Sequence, residues 1–314
     1  MDIPRIVSLA RSHPSRPLVV VDNTFMSPFY QSPLLLGADV VVHSLSKYVN
    51  GHSDVIMGGL ILPAHHAPLL QKLRLHQKSY GAVPSPHDCW MVQRGAKTLH
   101  LRMKAHGINA LKLAQMLERS PWVENVIYPG LPSHPRKAIV HRQLSPHARR
   151  FVDALQDECG DQGGFPCGGV LSFRIRGGAA EANAFVTKTR LFVLAESLGG
   201  VESLVGLPAQ MTHASLSEAD RAALGIGPNL IRLSAGVEET ADLVKDVEQA
   251  LEAAVSGVKQ EFVHVPFSDS SPSPLPSTPD KLPPTSRTTQ PLSWWEVFLV
   301  TLSQWYALIM KCFC

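Results

Sequence analysis

Apolar residues come first in short unbroken runs and later at helical spacing. The opening MDIPRIVSLARSHPSRP holds no apolar run long enough for a signal-peptide core, and reads as part of a helix followed by a Pro-bracketed loop. Leu18 to Val21 is a continuous apolar run ending at Asp22, the pattern of a strand buried on both faces. Leu34 to Ala38 predicts a short helix, and Asp39 to Val42 a second buried strand ending at His43 and Ser44. A third strand, Leu60 to Leu62, follows a tight turn at Gly58 and Gly59. Short apolar strands with brief crossovers predict a mostly parallel α/β sheet. Beyond Pro86 the texture turns helical: Ala110, Leu113, Ala114 and Leu117 keep i, i+3, i+4, i+7 spacing until Ser120-Pro121 stops them. Leu171, Phe173 and Ile175 alternate with Ser172 and Arg174 as in a half-covered strand, and Leu243, Val247, Leu251 and Ala254 form one stripe on a helix from Glu239 to Val255. Met103, Met116, Trp90 and Trp122 read as core.

The chain has 314 residues, 45% hydrophobic and 18% charged, with net charge +3, so an electrostatic nucleic-acid binder is not expected. Five cysteines, at 89, 159, 167, 312 and 314, form no disulfide framework and point to a reducing, cytoplasmic setting. Cys89 beside Trp90 reads as a packed thiol, and His52, His65 and His66 as solvated loop residues lacking metal-ligand spacing. The 25 prolines are in excess, and eight of them lie between Pro266 and Pro291 among Ser and Thr. Such a segment buries too little apolar surface to offset its ordering entropy. The expected organisation is a partial cofactor-binding large domain over 1–118, a small α+β domain over 119–258, a disordered linker over 259–291 and an apolar tail over 292–314. The tail, WWEVFLVTLSQWYALIMKCFC, is near the minimum length for a membrane-crossing helix but carries Glu296 and Gln304. A membrane enters the picture only if this tail anchors; an extraneous C-terminus is the plainer alternative.

Asp22, Ser44, Ser46 and Lys47 carry the chemistry. Two adjacent strands ending at Asp22 and at Ser44 put both groups on the carboxyl rim of the sheet, where ligands of open α/β sheets bind. A lysine in the small-residue turn HSLSKYVNGHSD can be desolvated into a nucleophilic amine. Two hydroxyls before it suit a phosphate, and an aspartate on the next strand suits a protonated ring nitrogen. That is the plan of a pyridoxal phosphate site; the alternative is a surface lysine and an aspartate that opens a turn.

The long motif VVVDNTFMSPFYQSPLLLGADVVVHSLSKYVNGHSDVIMGG resembles the Cys/Met-metabolism family of pyridoxal phosphate enzymes. GAVPSPHDCWMVQRGAKTLHLRMKAH, PWVENVIYPGLPSHP, LFVLAESLGGVESL, PAQMTHAS and LIRLSAGVEE continue the resemblance in order to about residue 257, with an interruption at about 143–167 that reads as a surface extension. It implies the C-terminal part of a fold-type I transferase-like large domain plus a smaller α+β domain. It also implies pyridoxal 5'-phosphate as cofactor, held covalently by Lys47, with Asp22 at its ring nitrogen and Ser44 and Ser46 at its phosphate. Ser197 is implied beside the lysine and the substrate carboxylate, Glu196 at a position linked to γ-specificity, Arg232 as the carboxylate clamp, and Thr212 near the site or else capping a helix. A guanidinium suits a carboxylate because it pairs both oxygens and keeps its charge. No metal is implied.

The implied reaction is γ-elimination of the amino acid L-cystathionine to L-cysteine, 2-oxobutanoate and ammonia in transsulfuration, with γ-replacement as alternative, in a homo-oligomer of dimers of dimers. The family's chain begins well over a hundred residues earlier, with a phosphate-cradling loop and sheet neighbours for Val19 to Val21, so the resemblance implies an open sheet edge and uncovered apolar faces there. The expectation is therefore that this polypeptide alone binds cofactor poorly and turns over slowly. The competing reading is a truncated, non-catalytic interaction protein that keeps the fold.

Overall fold

A computed structural model describes residues 1–159 and 163–256. In chain order the elements are α1 (Ile3–Ser12), β1 (Val20–Asp22), α2 (Ser27–Tyr30), β2 (Val40–Ser44), β3 (Gly58–Ile61), α3 (Ala67–Ser79), α4 (Pro86–Ala96) and α5 (Leu99–Arg119). There follow β4 (Val123–Ile127), α6 (Lys137–Arg142), α7 (Pro146–Cys159), β5 (Val170–Ile175), α8 (Ala179–Lys188), β6 (Val193–Leu194), β7 (Leu204–Gly206), α9 (Glu218–Ala223), β8 (Leu230–Ser234) and α10 (Thr240–Ser256). Helix starts are set locally: Asp2 accepts the Arg5 amide ahead of α1, and Ser85 accepts the Asp88 amide ahead of α4, each with proline in the first turn.

The first sheet has the order β1-β2-β3. Strands β1 and β2 are parallel, Val20 opposite Val40 and Asp22 opposite Val42, so both end at one rim. β3 runs antiparallel on the far side of β2, with Gly58 opposite Ser44. The sheet is therefore mixed rather than mostly parallel, and Gly58 and Gly59 are paired strand residues rather than a turn into the strand. The segment 34–38 folds as a 3-10 turn, Pro33–Leu36, closed by Gly37 at φ +96°.

The second sheet has the order β4-β5-β8-β7-β6, antiparallel except for β6 against β7. Leu171, Phe173 and Ile175 on β5 are buried, as their alternation predicts. α5 packs on α2, on β4 and β5, and on α10. One apolar core runs from Tyr30 and Tyr48 through Met103, Leu113 and Phe173 to Ile231 and Leu251.

Three burial expectations are overturned. β1 is not covered on both faces: Val20 and Val21 are half-buried and Asp22 is exposed, because β1 is an edge strand. A largely apolar cleft lined by Met1, Ile6, Val19 and Val21 runs beside it. Trp90 and Trp122 are 61% and 38% exposed rather than core, since α4 turns only Val92 and Gly95 inward and Trp122 sits in the turn after α5. The interval 143–167 is no surface extension. Ala148 and Val152 on α7 are fully buried, Ser145 donates its hydroxyl to the Phe29 carbonyl, and Gln143 accepts the Ile3 amide at 2.7 Å. Cys89 is half-buried, while Cys167 is buried and its thiol is pushed up to about 12 by burial, which keeps it inert. No helix among the described residues is long and apolar enough to cross a membrane. The 259–291 linker and the 292–314 tail lie outside the described residues.

Three polar groups on one face of α5 tie the two sheets together. Arg102 donates to the Tyr48, Val49 and Gly95 carbonyls at 2.7, 3.2 and 2.8 Å. One turn on, His106 Nδ1 donates to the Ala235 carbonyl at 2.7 Å. Asn109 then donates to the Gly236 and Glu238 carbonyls at 3.1 and 2.9 Å.

Burial lowers the His106 pKa to about 4, against an ordinary 6.5. The folded state thus disfavours the protonated ring. The His106 contribution is full above pH 6.5 and is lost as pH falls toward 4, because the unfolded chain takes up the proton first. That contribution is on the order of a few kcal/mol. Urea midpoints should therefore drop between pH 6.5 and 4. In His106→Gln the drop should be shallower, and an equal drop would remove His106 as its source.

Candidate active site

The rim where β1 and β2 end carries the first half of the site. The Asp22 carboxylate accepts the Thr24 amide at 2.9 Å, and the Thr24 hydroxyl accepts the Ser44 amide at 2.8 Å. One side chain thus locks the ends of two parallel strands together. Asp22 does open a turn, as the plainer sequence reading held, yet it stays exposed at the rim. His43, on β2, is buried, and burial holds its ring below the usual histidine range despite the Asp22 charge.

The turn after β2 presents Lys47, whose amide donates to the Ser44 carbonyl at 3.2 Å. Ser46 stands in the same turn, where its hydroxyl accepts the Met57 amide at 2.9 Å. Lys47 Nζ donates to Ser197 Oγ at 2.7 Å. Burial lowers the lysine pKa, and the Arg232 charge adds to that against the opposing pull of Glu196. An amine so placed is available in its neutral, nucleophilic form at lower pH than a surface lysine.

β8 brings the second half. Arg232 Nη2 donates to the Ser197 carbonyl at 2.9 Å. Ser197 is held on both its hydroxyl and its carbonyl with φ at +105°, a conformation that costs a non-glycine residue on the order of 1–3 kcal/mol. Two residues on, the Gly199 amide donates to Ser234 Oγ at 2.9 Å. Gly199 itself sits at φ +78°, and a β-carbon there would meet the Tyr48 backbone at 2.9 Å. The close approach of the 197–199 turn to the lysine turn therefore requires glycine.

Arg232, Glu196 and Thr212 meet with Leu207, Pro208 and Met211 around a crevice too narrow for a water molecule. Thr212 does not cap a helix: its hydroxyl lies 2.7 Å from His213 Nδ1, and Ser217 caps α9.

The structure thus brings together Lys47, Ser197 and Arg232, joins Asp22 to Ser44 through Thr24, and groups Glu196 and Thr212 with Arg232. Thr24, Arg102 and Ser234 are structural members of the site that sequence reasoning missed. Thr24 had a signal, since an Asp two residues ahead of a hydroxyl residue after a strand is an Asx-turn pattern. The donor set fits pyridoxal phosphate: a desolvated amine for its aldehyde, hydroxyls for its phosphate and a rim carboxylate for its ring nitrogen. The exposed rim carboxylate and the lowered lysine pKa are what make it fit.

Residues 1–157 and 161–252 match the family model described as Cys/Met metabolism PLP-dependent enzyme. Over 237 residues the chain is 50% identical to cystathionine gamma-lyase of Homo sapiens, covering 76% of this chain and 53% of that one. The crystal structure of cystathionine gamma-lyase from yeast superposes with TM-score 0.73 at 43% identity, covering 81% of this chain and 61% of that one. Cystathionine gamma synthase from Xanthomonas oryzae pv. oryzae, solved in complex with cystathionine, superposes with TM-score 0.71 at 40% identity over 82% and 60%. The chain spans about half the length of the curated relatives it matches. The family match runs through residue 157 and resumes at 161, so the interval 143–167 belongs to the family pattern almost entirely.

Proposed function

Because the chain belongs to the Cys/Met metabolism family of pyridoxal phosphate-dependent enzymes and shares the fold-type I α/β architecture of its solved members, we propose that its site serves γ-elimination of L-cystathionine to L-cysteine, 2-oxobutanoate and ammonia. The observation that carries the proposal is the linkage of Lys47, Ser197 and Arg232, which sets an activated amine beside a fixed guanidinium.

In this reading Lys47 holds the cofactor aldehyde, Asp22 keeps a proton at the ring nitrogen, and Ser44 and Ser46 offer hydroxyls to the phosphate. Pyridoxal phosphate, when bound, supplies an electron sink for the charge that develops at the substrate α-carbon. Arg232 pairs the substrate carboxylate through both oxygens, which fixes the α-carbon next to Lys47. Lys47 Nζ, when free, would be the general base that takes the α-proton. Ser197 Oγ, the acceptor of its hydrogen bond, orients it. Glu196 and Thr212, which neighbour Arg232, would border the bound amino acid. The same proposal divides the described residues at 118/119; it is supported by the three-stranded sheet lying before that point and the five-stranded sheet after it.

A second reading, γ-replacement, is favoured by the nearly equal likeness to the gamma synthase. Two incubations with pyridoxal phosphate, one with L-cystathionine and one with cysteine plus an activated homoserine ester, separate the two. Release of 2-oxobutanoate with matching cysteine supports elimination. Formation of cystathionine from cysteine and an activated homoserine ester, without 2-oxobutanoate, overturns it. Arg232→Ala should raise KM for the amino-acid substrate about 10- to 100-fold, in line with ~1.5–3 kcal/mol for hydrogen bonds to a charged group. An unchanged KM would remove Arg232 from the carboxylate.

A further inference from the structure

At the opposite end of β2 from Lys47, three potential metal ligands converge. Asp39 immediately precedes β2, and His65 and His66 form the 3-10 turn that follows β3. The antiparallel register, Val41 opposite Ile61, brings the chain leaving β3 back across the start of β2. One ligand atom from each of Asp39, His65 and His66 falls within 4.8 Å of the others. His66 Nε2 lies 2.9 Å from Asp39 Oδ1, and the two imidazole rings are 4.4 Å apart.

We propose that Asp39, His65 and His66 form a binding site for a divalent transition cation of the Zn²⁺ type, with solvent completing four-coordination. Two imidazoles and a carboxylate are the ligand types such ions take, at about 2.0–2.2 Å each. Shifts on the order of 1 Å in the two histidines close the triad on a single ion. The carboxylate is already fixed: Asp39 Oδ2 accepts the Val19 amide at 2.8 Å, which leaves Oδ1 facing His66. That outer hydrogen bond orients the ligand as supporting partners do in built metal centres. His65 is exposed, which gives an ion a path from solvent. The residues lie five positions along β2 from the cofactor turn, roughly 16 Å, and the triad uses none of the groups assigned to catalysis.

The test is titration of the tag-free, chelator-stripped chain with Co²⁺, followed by visible absorption and with no pyridoxal phosphate added. One equivalent should bind saturably with the intense bands of four-coordinate cobalt, and Zn²⁺ should displace it. His65→Ala should bind at least ~10-fold more weakly while its circular dichroism and melting match the parent's. Should that variant fail to fold, His65→Gln serves in its place. Lys47→Ala should bind Co²⁺ as the parent does. Absence of saturable binding, weak six-coordinate bands only, or unchanged binding in the His65 variant overturns the proposal.

Discussion

Lys47→Ala is expected to leave no cofactor fixed to the chain after borohydride reduction, and to lower turnover of any amino-acid substrate by about 10³-fold or more. The physical ground is that the proposed function gives one nitrogen two tasks, holding the cofactor and moving the α-proton. The turn between β2 and β3 offers Lys47 as its amine, with Ser197 Oγ at 2.7 Å. Lys47→Arg keeps the positive charge yet offers no neutral amine, since a guanidinium does not deprotonate. It should therefore fail like alanine, which separates nucleophilicity from electrostatics. Mass spectrometry of the reduced chain reads the outcome directly. A phosphopyridoxyl group found on another lysine, or full activity in either variant, would sink the assignment.

The largest expected stability effect is at Phe173. This ring is fully buried on β5 and meets Phe185 of α8 edge-on, with centroids 5.5 Å apart. Its strand neighbour Ile231 precedes Arg232. Phe173→Ala should cost about 3–5 kcal/mol, from lost transfer energy plus the cavity left behind. Against a total of about 5–15 kcal/mol for a typical domain, that is a large share. The urea midpoint should fall accordingly with an unchanged slope. Trp90→Ala is the matched control: the ring is larger but 61% exposed, and surface changes usually stay within about 0.5 kcal/mol. If the two variants lost comparable stability, the assignment of core and surface to these aromatic residues would be wrong.

Lys47 and Asp22 were legible in the sequence because unbroken valine runs mark strands, and a strand's end marks a rim. The same runs misled on burial. Three valines state an affinity for cover, not what covers them, and β1 proved to be an edge. The tryptophans misled for a related reason, since a large amphipathic ring is content half in water. Arg232 carried no periodic signal and entered only through the resemblance of LIRLS to a family motif. Arg102, His106 and Asn109 were hidden differently. Periodicity counts apolar positions, and a polar residue on a helix face reads as the solvent side until its buried partner carbonyls are known. Asp39, His65 and His66 meet only through the register of β2 with β3, which no spacing within the chain encodes.

The polar face of α5 has one more consequence. Arg102 grips the carbonyls just after Lys47, while His106 and Asn109 grip those just after β8, the strand of Arg232. The two halves of the proposed site, 185 positions apart in the chain, hang from eight residues of a single helix. Fraying of that helix over these residues would loosen both anchor points at once. In hydrogen exchange the lysine turn and the end of β8 should therefore open as one cooperative unit.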